Sequence, residues 1–129
     1  MDRNRFEELV GKALDRLPEE FAERLDSIDV VVEDWPSAEQ LSTVGLTRRQ
    51  DLLGLYEGVP LTRRSSWIGS KLPDKITVFQ KPIEIRSRSE AQVIRLVREV
   101  VYHEIGHYFG ISDKRLAEIQ DDKEQNGQD

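Results

Sequence analysis

Apolar positions at Phe6, Leu9, Val10, Ala13, Leu14 and Leu17 recur at intervals of three and four, which predicts an amphipathic helix opening the chain. Pro18 and the acids Glu19 and Glu20 form the usual start of a helical turn, so this helix is expected to bend or break near Pro18 and to run on to about Leu25. The run "IDVVVED" (28–34) is β-branched and too short for a helix, and predicts a buried strand. "WPSAEQLSTVGLTRRQ" is punctuated by Pro and Gly and predicts a turn, a short helix and a loop. In "LLGLYEGVPLTRRSSW" the glycines and the proline leave room for one short strand followed by an irregular connection. "KITVFQ" (75–80) alternates as a second strand does, and Pro82 then breaks the ladder.

The longest periodic segment follows. Ser87 or Ser89 can cap a helix, with Glu90 or Gln92 three residues on in the pattern of a capping box. The helix runs from about Glu90 to Phe109, where Gly110 can supply the left-handed residue that ends it. A last short helix from Asp113 to about Gln120 leads into a charged tail, frayed over 121–129. There is no internal repeat, and the order of elements predicts one α+β domain spanning 1–129, a small mixed sheet packed against the N-terminal helix and the long helix.

Projected at a hundred degrees per residue, Val93, Ile94, Val97, Val100, Val101, Ile105 and Tyr108 gather on one side of the long helix. Arg95, Arg98, Glu99, Tyr102 and Gly106 take the other. Glu104 falls inside the apolar stripe, and His103 and His107 lie along its edge. A buried carboxylate needs a partner, and the residues three and four positions from Glu104 are Val100, Val101, His107 and Tyr108, none of them a permanent cation. Two imidazoles four residues apart project side by side and can share one divalent ion, which would satisfy the carboxylate as well. This is the HExxH arrangement: His103 and His107 as metal ligands, Glu104 as the base that takes a proton from water.

Composition narrows the metal. The chain has 129 residues and no cysteine, so disulfides and thiolate sites are excluded and a transition metal must use imidazole and carboxylate, as Zn²⁺ does. The continuation HExxHxxGxxD brings in Asp113, because a glycine with positive φ at Gly110 can turn the chain back towards the histidines. Asp113 is favoured as the third metal ligand over a helix-capping role; Glu118, Asp121, Asp122 and Glu124 are rival ligands in a run that reads as solvated.

Net charge is −6 and uneven. Residues 1–35 carry five basic and eleven acidic side chains, and residues 61–98 carry nine basic and three acidic. The basic stretch lacks interleaved aromatics for base stacking, so a solvated face is favoured and no nucleic-acid partner is expected. No signal-like segment opens the chain and nowhere do eighteen apolar residues occur in succession, which predicts a cytoplasmic protein without a membrane partner.

With "LLGLYEGVPL" (52–61), "KITVFQKPIE" (75–84) and "VVYHEIGHYFGISDKRL" (100–116), the chain resembles the short zincin-like metallopeptidases of bacteria sometimes called minimal zincins. The resemblance implies a zincin-type α+β fold and the motif that His103, Glu104, His107, Gly110 and Asp113 match position by position; it implies no particular substrate. The methionine turn of larger zincins is absent, since Met1 is the single methionine, and only 22 residues follow His107 where those enzymes build the lower half of the cleft.

The leading expectation is a zinc peptidase acting on a peptide or protein that pairs with a sheet edge near residues 55–70. Tyr56, Tyr108, Arg63 and Arg64 are candidates for stabilising an oxyanion. Three alternatives stay open: a zinc-stabilised interaction domain without catalysis, a regulatory protease of one partner protein, and a homodimer that completes the cleft.

Overall fold

The computed structural model describes residues 1–23, 25, 28–58, 74–109 and 118, without the side chains of Tyr108 and Phe109. Its elements are α1 (Arg3–Leu14), α2 (Glu19–Ala22), β1 (Asp29–Glu33), α3 (Ala38–Thr43), β2 (Gly54–Glu57), β3 (Lys75–Phe79), α4 (Gln80–Ile85) and α5 (Glu90–Phe109), with a 3₁₀ turn at Arg49–Asp51. The opening helix breaks as expected, at Pro18, which stands at the N-cap of α2.

The sheet is mixed, in the order β1-β3-β2. β1 runs parallel to β3, with Asp29 opposite Lys75 and Glu33 opposite Phe79; β2 runs antiparallel, with Gly54 opposite Val78 and Glu57 opposite Lys75. Position in this order sets how deeply each strand is buried, and corrects the expectation that 28–34 is a buried strand. β3 is central, so Ile76, Thr77, Val78 and Phe79 are all fully buried in spite of their alternating polarity. β1 is an edge, and its valines Val30, Val31 and Val32 are only half-buried.

Ile76 and Val78 face the main core, which joins Phe6, Leu9 and Ala13 of α1 to Val93, Val97, Val101 and Ile105 of α5. On the opposite face Phe79 packs with Leu41 of α3 and Leu52. Each side chain there follows the period of two that a strand imposes. Ser37 opens α3 with a complete capping box, its hydroxyl accepting from the Gln40 amide at 3.0 Å while Gln40 Oε1 accepts from the Ser37 amide at 2.9 Å.

Two arginines of the first turn fasten α1 to the rest. Arg3 donates to Gln80 Oε1 (3.1 Å), the Val32 carbonyl (3.0 Å) and Asp34 Oδ1 (2.8 Å), joining the helix start to the end of β1 and to α4. Arg5 donates to both oxygens of Glu90 and to Glu8, tying α1 to the first turn of α5. Hydrogen bonds from these guanidiniums hold the Asp34 and Glu90 carboxyls below their ordinary range and raise the Arg5 guanidinium.

The strand before Pro82 ends as expected, but the proline breaks nothing further: it is the third residue of α4. The first turn of a helix has amides without intrahelical partners, so the missing N–H there is harmless. Ser89 rather than Ser87 caps α5. Its hydroxyl accepts from the Gln92 amide (3.2 Å), and Gln92 Oε1 reaches back to the Arg88 amide (2.6 Å). Ser87 instead donates to the Ile83 carbonyl at 2.8 Å and closes the turn behind α4.

The 20-residue α5 spans the residues that its periodicity predicts. Its buried surface is wider. Tyr102 and Gly106, expected on the solvent side, are buried. Tyr102 stacks on Phe21 of α2 with ring centroids 5.0 Å apart and planes inclined by 17°. The helix packs against the sheet and also against α1 and α2, so it buries two adjoining faces. Among the described residues, no helix is long and apolar enough to cross a membrane.

Candidate active site on the last turns of the long helix

The last turns of α5 run beside β2, and the approach is close enough to exclude a side chain. At Gly54 a Cβ would lie 2.3 Å from Val100 Cγ1 and 3.2 Å from the Thr77 carbonyl oxygen, so only glycine lets helix and strand meet here. Val100 leans over this glycine and is half-buried. One turn further along α5, Glu104 comes level with Tyr56, two residues along the strand.

The direction of the β2 peptide groups matters. Phe79 N donates to the Leu53 carbonyl at 2.9 Å. Paired residues in an antiparallel ladder alternate between hydrogen-bonded and non-bonded pairs, so Leu55–Thr77 and Glu57–Lys75 are the next bonded pairs, and Gly54 and Tyr56 turn their peptide groups away from β3. The outward N–H of Tyr56 donates to Glu104 Oε1 at 2.7 Å. Thus the carboxylate that sits in the apolar stripe is met by a strand amide 48 residues away in the chain.

Glu104 Oε2 lies 3.8 Å from His107 Nδ1, and the Glu104 side chain is 17% exposed against 59% for His107. Burial pushes the Glu104 carboxyl up; the Tyr56 amide and the nearby imidazoles of His107 and His103 oppose that rise without cancelling it. His103 is exposed and sets its ring edge-on to Tyr102, with centroids 5.6 Å apart. The two histidines therefore stand at the surface, one turn apart, with the carboxylate recessed between them and the strand, as the helical spacing predicts.

The chemistry of this donor set suits a borderline divalent ion: two accessible imidazoles on one helix face and a carboxylate already anchored elsewhere. Among the described residues no group of three His, Cys, Asp or Glu side chains is assembled to hold a metal. Asp113, Asp121, Asp122 and Glu124 lie outside the described residues, as do Gly110 and the expected last helix; Glu118 is described and exposed.

Of the oxyanion candidates, Tyr56 has its hydroxyl committed at least in part, donating to Asp74 Oδ1 at 3.0 Å. Arg63, Arg64 and the Tyr108 side chain lie outside the described residues. The contact with the Tyr56 amide was not foreseeable from helical neighbours. Gly54 within a predicted short strand, where a glycine can mark close approach of another element, was the available sign.

A mixed three-stranded sheet backed by a long helix that carries HExxH beside an antiparallel edge strand defines a zincin-like α+β domain. Residues 25–123 match the family of zincin-like metallopeptidases, and the chain belongs to that family. No curated protein matches the chain.

Proposed function

We propose that this protein is a zinc-dependent peptidase in which His103, His107 and Asp113 hold the metal and Glu104 is the general base. The observation that carries this reading is the placement of Glu104: half-recessed, anchored by one oxygen to the Tyr56 amide, and flanked by two exposed imidazoles on the same helix face. A structural acid would be expected to spend both oxygens on fixed partners. Here Oε2 faces His107 instead.

Zinc at such a site supplies Lewis acidity, acidifying water towards a pKa of about 7 and polarising a carbonyl group. The chain's own residues do the rest. Oε1 of Glu104 is occupied by the strand amide, so Oε2 is the oxygen that receives a proton and later delivers it to the leaving amine. In the metal-free chain burial raises the proton affinity of this carboxyl. His107 turns Nδ1 towards Glu104, leaving Nε2 for a ligand. The substrate is a peptide or protein whose scissile carbonyl reaches the helix face that His103 and His107 share; the outward Tyr56 amide, already given to Glu104, is not open to it for strand pairing.

The test combines metal analysis with digestion of a peptide library. Wild type should bind one zinc and cleave; His107→Ala and Asp113→Ala should lose zinc; Glu104→Gln should keep zinc and lose turnover. Unchanged turnover in Glu104→Gln would refute the assigned base, and full zinc in Asp113→Ala would make Asp113 a cap.

A further inference from the structure

We infer that the backbone N–H of Tyr56 is a positioning group for Glu104, so that the edge strand orients the base as well as bordering the cleft. The inference rests on the peptidase reading and deepens it. Three observations converge on it. Tyr56 lies at a position of β2 whose peptide points away from β3, so its N–H is turned to the helix instead of the ladder. The bond to Glu104 Oε1 is short, 2.7 Å, as expected when the acceptor is a carboxylate. The strand segment carrying that amide is itself pinned at both ends. On one side Gly54 lets α5 approach within contact of the backbone. On the other, the Tyr56 hydroxyl donates to Asp74, which is 8% exposed, and Gly58 with its φ of 148° makes room for that pair. A Cβ at Gly58 would stand 2.3 Å from Asp74 Oδ1 and 3.0 Å from the Tyr56 hydroxyl.

A glutamate on a helix has three freely rotating side-chain bonds, and one hydrogen bond from a fixed amide removes most of that freedom. It also decides which oxygen does the chemistry. With Oε1 held by the strand, Oε2 is turned towards the face that His103 and His107 share. Replacing the peptide N–H by an ester oxygen, with 4-hydroxyphenyllactate in place of Tyr56, deletes this donor, leaves the ring and its hydroxyl in place, and weakens without removing the Leu55 carbonyl as the ladder acceptor opposite Thr77.

Two measurements decide it. In the full-length metal-free chain labelled with ¹⁵N, amide exchange at Tyr56 should be at least about tenfold slower in wild type than in Glu104→Ala, since an edge-strand amide loses protection when its acceptor goes. Equal rates would overturn the inference. In the zinc-loaded protein the ester should lower kcat by roughly 10- to 100-fold, the scale for a misplaced catalytic group, with KM and zinc content unchanged. Unchanged kcat, or loss of zinc in step with kcat, would overturn it too, because a merely structural bond would act through the fold. Absence of turnover in every zinc-loaded form would defeat the peptidase reading, and the exchange rates would then decide alone whether Tyr56 orients Glu104.

Discussion

Adding one methyl group at Gly54 tests the packing on which the site depends. The Cβ of Gly54→Ala would lie 2.3 Å from Val100 Cγ1, against an ordinary carbon–carbon contact of about 3.5–4.0 Å, so helix and strand must separate by roughly an ångström or Val100 must leave its rotamer. Overpacking of this kind costs about 1–3 kcal/mol, partly offset by the ~0.5–1 kcal/mol that alanine gains over glycine in the unfolded chain. A net loss of about 1–2 kcal/mol is expected, which in urea shifts the midpoint without altering the slope. Val100→Ala removes the offending atom. Its own Cβ would then be the nearest side-chain atom at 3.8 Å, an ordinary contact, and the 3.2 Å approach to the Thr77 carbonyl is all that remains tight. The double variant should therefore be more stable than the sum of the two single losses by about 1 kcal/mol or more. Additive losses, or a Gly54→Ala chain as stable as wild type, would show that α5 and β2 do not meet at Gly54.

Other consequences follow from named contacts. Phe21→Ala removes a ring that is 1% exposed and stacked on Tyr102, and should cost about 3–5 kcal/mol in denaturant unfolding. Ser37→Ala breaks a complete capping box and should cost about 1 kcal/mol, whereas Ser37→Asp should restore most of it. The Asp34 and Glu90 carboxyls titrate below their ordinary values near pH 4 because Arg3 and Arg5 donate to them. Their contribution is thus present above that pH and lost as pH falls through the depressed values, so Arg5→Ala should flatten the acid limb of a stability-versus-pH curve, and added salt should shrink the difference.

Local signals were legible in the sequence and tertiary ones were not. The bounds of α5 could be read because Ser89 and Gln92 sit at its start and a continuous helical period fills it. The HExxH residues were legible for the same reason: spacing along one helix dictates which side chains share a face. Burial of Tyr102 was missed because periodicity identifies one apolar face, whereas α5 packs against the sheet and also against two helices. β1 and β3 are similarly apolar, and only their order in the sheet makes one an edge and the other central. α4 escaped notice because it starts at the residue after β3 and carries a proline in its first turn, where a proline reads as a breaker.

The same distinction explains the carboxylate. From helical neighbours alone, Glu104 has no permanent cation within reach, and a metal ion would be its most economical partner. The strand amide changes that inference, because one oxygen of the carboxylate is satisfied before any ion arrives. What remains for an ion to explain is therefore smaller: two exposed imidazoles one turn apart and a single carboxylate oxygen facing them. A site of this kind can fold without its metal, since its recessed carboxylate already has a donor. Chelation should then leave the fold intact, with a far-ultraviolet circular dichroism spectrum like that of the zinc-loaded chain. A chain that unfolds on chelation would instead mean that the ion, rather than the Tyr56 amide, is what makes a carboxylate tolerable in that stripe.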